Sequence, residues 1–410
     1  MPTPTFLEPG TDATQDLSFF SFIDFFGGAG TPVSDSSQAH TGLRSIKVVI
    51  PSGGSAIAGV VSPDGSVQDA GTRLSCWIRL STATPSADVL LFAPQETADG
   101  AAVLAVGLTT GGVLVLQAPG AGTVTGTTVL SATTWTRLTL SYVITSASNW
   151  SAKLYINGIL ELSTGNALGT LANVASQGIY FGVGETGSAP LNQTAAITLW
   201  FDDIYVDNGT DLADPGTTAG LSVTAKRPFA NGTTNGFTGT GLPGTPYGTG
   251  NARYVNNNYP VGSDTTSYVS VLAAGSAITE EYNIEGASVN YGDVNLTGAT
   301  IVGVQGWLFA NSSLTETTDQ IVVDGTQSAI ASITSTATLF TQNSATPTVY
   351  PAGTGTDVGI VTGIAATTKV FGTGILVAFI PAASVTASID SLLQIAPPDR
   401  RHFTSSWITA

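Results

Sequence analysis

Carboxylates are the residues of this chain that come closest to a reactive arrangement. Asp202 and Asp203 are adjacent, and Glu280 and Glu281 form a second doublet. Glycoside hydrolysis needs two carboxylates with separated roles, one held protonated and one ionised. Successive side chains on a strand point to opposite faces, so neither doublet makes a ready acid–base pair. The two histidines, His40 and His402, lie at opposite ends of the chain with no nucleophile motif beside either, which argues against a serine–histidine–aspartate triad. The expectation is a protein that is not an enzyme.

Asp202, Asp203 and Asp207, followed by Asp211, also read as metal ligands. With nearby carbonyls they supply the hard oxygens that calcium takes. Their spacing departs from the EF-hand loop, and aspartates at a strand end also cap their own turns. Calcium is the one cofactor these residues suggest; turn capping is the simpler reading and the favoured one.

Aromatic residues offer a different chemistry, stacking on sugar rings. Of the six tryptophans, Trp77, Trp135, Trp200 and Trp307 fall inside or beside predicted strands, where core packing is the default. Trp150 at a loop and the loop tyrosines Tyr247 and Tyr254 are the glycan-binding candidates. Arg400, Arg401 and Trp407 mark the C-terminal segment as a docking arm, because an extended segment can add to a neighbour's sheet edge. The single cysteine, Cys76, excludes an intramolecular disulfide and reads as a buried core thiol.

The elements that must position these residues are strands. Period-two alternation marks residues 45–50, 73–80, 88–92, 136–143, 152–156 and 197–201. Residues 102–108 and 113–117 flank a glycine-bearing loop suited to a hairpin, and Asn157-Gly158 fits a type I′ turn. Helical periodicity is nearly absent, so the class is all-β, a sandwich or barrel. A polar, turn-forming break separates a first domain, residues 1–208, from a linker at 209–220. A second β domain covers 221–383, with strands expected at 221–225, 267–271, 300–309, 320–323 and 369–379. A glycine- and threonine-rich stretch at 231–258 reads as loop, and 384–410 as an extended tail.

Composition narrows the partners. The chain has 410 residues, 10% charged, with 12 basic against 28 acidic side chains and a formal charge of −16. A nucleic-acid partner needs clustered cations to displace counterions, so none is expected. Apolar runs fall well short of the ~20 residues that span a bilayer, and the N-terminus lacks the basic start and apolar stretch of a secretory signal.

Particular motifs suggest a family. Trp135-Thr136-Arg137-Leu138-Thr139-Leu140-Ser141-Tyr142, then Lys153-Leu154-Tyr155-Ile156-Asn157-Gly158, resembles the laminin-G-like, concanavalin A-like jelly rolls. Trp200-Phe201-Asp202-Asp203-Ile204-Tyr205-Val206 resembles their final strand, and Thr41-Gly42-Leu43-Arg44-Ser45 an early turn. The Glu-x-Asp-x-x-Glu strand of sandwich glucanases is missing. A jelly roll joined to a second β domain is similar in layout to structural proteins of tailed-bacteriophage virions. That resemblance implies location in the virion, as a head decoration or a tail or collar fibre. It implies contacts with capsid, portal or tail proteins, homo-oligomerisation, and host-surface glycan as a further partner.

Overall fold

The computed structural model describes residues 4–8, 20, 22–26, 30–42, 44–51, 57–63, 65–96, 101–183, 195–216, 220–226, 228–235, 269–270, 279–284, 294–312, 320–323, 326–329, 338–343, 357–361 and 368–382. Every regular element in these is a strand, and all pairings are antiparallel. Among the described residues no helix is long and apolar enough to cross a membrane.

The first domain is a two-sheet jelly-roll sandwich. One sheet runs β13 (Ile159–Gly165), β12 (Asn149–Ile156), β11 (Trp135–Ser146), β6 (Thr72–Leu80), β15 (Ile197–Asp207), β4 (Ser45–Ile50), β3 (Gly30–Asp35), with β1 (Pro4–Glu8) paired to the far end of β15. The other runs β10 (Gly122–Val129), β9 (Val113–Ala118), β8 (Ala105–Leu108), β7 (Val89–Gln95), β14 (Gly178–Val183), β5 (Ile57–Val61), β2 (Phe22–Phe26). Alternation explains the packing between them. In β6, Leu74, Cys76, Ile78 and Leu80 enter the core, while the residues between them face outward. Burial pushes the Cys76 thiol far above its ordinary range, as expected for an inert core thiol. The Asn157-Gly158 turn forms with both residues at positive φ, 49° and 83°, and joins β12 to β13.

Two further sheets follow. One runs β16 (Ser222–Lys226), β25 (Thr368–Ile380), β20 (Thr300–Ser312), β23 (Thr338–Asn343), with β18 (Val269–Ser270) added to β25. The other runs β17 (Pro228–Asn235), β19 (Thr279–Ile284), β24 (Asp357–Val361), β21 (Gln320–Val323), β22 (Thr326–Ala329). β17 corrects the loop expected from 231: polar residues become a strand here because β19 supplies the pairing that their own propensity does not. The core is continuous across the joint, since Leu221, Val223, Trp307 and Leu376 belong to the same cluster as Phe6, Leu140 and Phe201. The expected tail, 384–410, lies outside the described residues.

Candidate functional site

The outward face of the eight-stranded sheet carries the chemistry. Strand parity places Arg73, Ser75, Trp77 and Arg79 of β6 there, beside Arg137, Thr139 and Ser141 of β11. On β15 the parity changes partway. Trp200 and Asp202 face outward up to a bulge between Asp202 and Tyr205, and Tyr205 and Asp207 do so after it. Asp203 sits in the bulge at φ 49°, a left-handed conformation that aspartate tolerates better than most residues.

Residues 208–216 cross one half of this face as a strap. Asp207 accepts from Arg73 Nε at 2.8 Å and Nη2 at 2.7 Å, and from the Tyr205 hydroxyl at 2.7 Å. Asp211 accepts from Arg73 Nη1 at 3.0 Å. Asp214 grips Arg137 with both oxygens, each at 2.7 Å. The Ser141 and Tyr155 hydroxyls donate to the carbonyls of Ala213 and Leu212. Each aspartate also caps its own turn, taking an N–H from two residues on: Gly209, Ala213 and Gly216. A Cβ at 209 or 216 would run into the Arg73 or Arg137 guanidinium group, so a larger residue there would have to displace an arginine from its ion pair. Burial works against the Arg73 charge, but the Asp207 hydrogen bonds and the two carboxylate charges outweigh it and raise its pKa. Burial, reinforced by Asp207, likewise pushes the Tyr205 phenol up. The linker expected at 209–220 is therefore bound down along residues 208–216.

Between the strap and the open half lies a buried carboxylate cluster. Asp202 accepts the backbone N–H of His40 at 2.6 Å and of Asp203 at 2.8 Å. Asp203 holds His40 Nδ1 at 2.6 Å, the Thr41 hydroxyl at 2.8 Å and the Val223 N–H at 2.8 Å. The bulge thus turns two sequence neighbours toward one His40-Thr41 corner, correcting the expectation that strand alternation keeps them apart. Burial, then the Asp203 charge, raises the Asp202 pKa well above the carboxylate range. His40 stacks on Trp77 with ring centroids 3.6 Å apart, and the Trp77 indole donates to the Leu221 carbonyl. Asp203, Thr41 and Trp77 therefore tie the sandwich to residues 221–223, where β16 begins.

The other half of the face is open. Cross-strand register sets Lys47 beside Trp200, Trp200 beside Arg79, and Arg79 beside Trp135. All four are half-buried. Lys47 Nζ and the Arg79 guanidinium each lie 5.9 Å from the Trp200 ring, within cation–π range. The Trp200 indole donates to Asp35 at 2.8 Å, and Lys47 approaches the same carboxylate at 3.7 Å. Burial alone would raise the Asp35 pKa, but the hydrogen bonds of Ser37 and Trp200 with the Lys47 charge bring it below the ordinary value. Arg79 donates through Nη1 to the Thr133 carbonyl; its Nε meets no acceptor among the described residues.

Several expected site residues are thereby reassigned. The calcium reading of Asp202, Asp203 and Asp207 is corrected: arginine, imidazole, hydroxyl and backbone N–H groups take their oxygens, and no cluster of three or more candidate ligands occurs among the described residues. Trp150 is 2% exposed and its indole donates inward to the Gly169 carbonyl, so it presents no face to a sugar. Tyr247, Tyr254, Arg400, Arg401 and Trp407 lie outside the described residues. Trp77, Trp135 and Trp200, assigned to the core by default, face outward. For Trp77, alternation within residues 73–80 carried that signal, since every other position there is polar or amphipathic.

No family model and no curated protein matches the sequence. Solved structures resemble the sandwich. An endo-β-1,4-glucuronan lyase from the fungus Trichoderma reesei is 13% identical over 52% of this chain and 100% of its own, with a TM-score of 0.39. A Trypanosoma rangeli sialidase is 13% identical over 45% of this chain and 27% of its own, TM-score 0.31. The receptor-binding domain of a botulinum neurotoxin C/D mosaic serotype is 15% identical over 50% of this chain and 48% of its own, TM-score 0.33. These likenesses bear on the fold alone. A glycan lyase and a sialidase stand among these structures, so the expectation of a protein that is not an enzyme is withdrawn, and no activity is assigned in its place.

Proposed function

We propose that this chain is a glycan-binding structural protein of a bacteriophage particle, and that the open half of the eight-stranded sheet is its binding face. The observation that carries the reading is the row Lys47, Trp200, Arg79, Trp135, with the half-buried Trp200 indole between two cations and the Trp135 indole on the far side of Arg79. A pyranose offers an apolar C–H face to an indole and hydroxyls to the groups beside it, so alternating aromatic and polar side chains match its two surfaces. The hydrogen bond to Asp35 fixes the Trp200 indole, which limits the side-chain ordering that binding must supply. The virion setting draws support from the core that runs on from the sandwich to Leu221, Val223, Trp307 and Leu376, a joined build that suits an appendage. Other virion proteins and further copies of this chain are the partners that setting implies.

Retention of host-surface polysaccharides by the purified full chain tests the binding face. Trp200→Ala and Trp135→Ala are expected to weaken retention about tenfold or more, since base–aromatic and comparable stacking contacts are worth ~1–3 kcal/mol each, with melting temperature little changed. Retention untouched by both substitutions would remove this face from the account. Chain-end analysis of the recovered polysaccharide separates binding from cleavage, and mass spectrometry of gradient-purified particles tests the virion setting.

A further inference from the structure

We infer that the ligand of the open face is a carboxylate-bearing glycan, and that Arg79 is the residue that receives the carboxylate. This deepens the glycan reading and rests on it. The strap supplies the reason, because it displays what this sheet face does with an acidic chain. Arg73 and Arg137, outward on β6 and β11, each take carboxylates from the strap, Asp211 on the first and Asp214 on both nitrogens of the second. Hydroxyls of Ser141 and Tyr155 hold the strap backbone between them. Arg79 is outward on the same strand as Arg73, six residues along, and beyond the reach of residues 208–216. Its side chain has one hydrogen bond, to the Thr133 carbonyl, and no carboxylate partner among the described residues.

Charge makes the lack of a carboxylate beside Arg79 among the described residues notable. In a chain with 28 acidic and 12 basic side chains, an arginine on a strand face has many carboxylates available to it. Among the described residues the open row nevertheless sets Lys47 and Arg79 against Asp35 alone, and Asp35 is already engaged by Trp200, Ser37 and Lys47. A guanidinium matches a carboxylate through two parallel N–H donors, a geometry lysine lacks. The indoles on either side favour a sugar over an acidic peptide, because a pyranose ring covers an indole face while its carboxylate reaches the neighbouring strand.

Calorimetric titration of the full chain separates the outcomes. The probes are a uronic-acid oligosaccharide, the same oligosaccharide with its carboxyl groups reduced to alcohols, a sulfated neutral oligosaccharide, and an oligo-aspartate peptide. The uronate is expected to bind, with carboxyl reduction and Arg79→Gln each weakening it about tenfold or more. Arg79→Lys is expected to restore little of the loss, which a general charge effect would restore; unchanged melting temperatures in both variants exclude misfolding. Equal binding of the carboxyl-reduced or sulfated sugar would overturn the carboxylate assignment and leave the glycan reading standing. Equal binding of oligo-aspartate would replace the glycan by an acidic protein partner. Failure of every saccharide to bind would overturn both readings.

Discussion

Arg137 and Arg79 stand on adjacent strands of one sheet face and have opposite surroundings. Arg137 is buried under the strap, 1% exposed, its charge matched by both oxygens of Asp214. Arg79 is half-exposed, braced by Trp200 and one carbonyl. Both sit on strands whose inward residues pack the same core. What differs is whether a carboxylate among the described residues meets the guanidinium. Where one does, the arginine has become part of the fold, because a buried guanidinium without its partner is costly. Where none does, as at Arg79, the arginine is left to a partner of another kind.

The largest test of that difference is removal of a strap carboxylate. Asp214→Ala leaves Arg137 buried and uncompensated, and is expected to destabilise the chain by about 3–5 kcal/mol, read by chemical denaturation. Arg137→Met in the same chain should recover much of the loss, since replacing a buried pair by apolar groups is often near neutral. A loss below ~1 kcal/mol for Asp214→Ala would mean that the strap is loosely held and that the two halves of the face are not distinct.

Half of this comparison was readable from the amino-acid order. Alternation over residues 73–80 and 136–143 identifies both strands and their outward residues, and the structure extends these to Thr72–Leu80 and Trp135–Ser146. The missing half lies in register and in one bulge. Nothing local to Trp200 shows that Lys47 and Arg79 will flank it, because those neighbours arrive from 153 and 121 residues away in sequence. Nothing local to Asp202-Asp203 shows that a bulge will break the alternation and turn both carboxylates to His40. The edge strand β10, Gly-Thr-Val-Thr-Gly-Thr-Thr-Val, lacks the apolar alternation that marks its neighbours, because nearly all of it is exposed. Asp207 and Asp211 looked like oxygen ligands for a cation, and they are; the cation is Arg73.

The boundary between the halves has its own test, in pH. Asp202 titrates above its ordinary value because it is buried and faces Asp203. A carboxyl whose folded pKa is raised contributes stability that is present below its unfolded pKa and is lost as pH rises through the folded one. The chain should therefore lose stability through Asp202 as pH climbs from about 4 toward neutrality. His40 and Asp203 face the same corner, so the informative quantity is the difference between wild type and Asp202→Asn. The amide costs a roughly constant amount for the N–H it cannot accept. Its melting temperature should nevertheless gain on the wild type as pH rises; a difference that stays flat from pH 4 to 8 would contradict the raised pKa.

The smallest expected effect is the most telling about the open half. Arg79→Gln removes a charge beside Trp200 and a donor to the Thr133 carbonyl, neither of which holds a buried partner charge. Surface substitutions of this kind change stability by roughly 0.5 kcal/mol or less, and an exposed cation–π contact is worth about 0.5–1 kcal/mol. Denaturation of Arg79→Gln should therefore fall within ~1 kcal/mol of wild type, several-fold less than Asp214→Ala on the next strand. A loss comparable to that of the strap variant would show Arg79 to be as deeply built into the fold as Arg137. The open row would then be an internal cation–π ladder that the sheet needs for its own stability, with no side chain left over to meet a ligand.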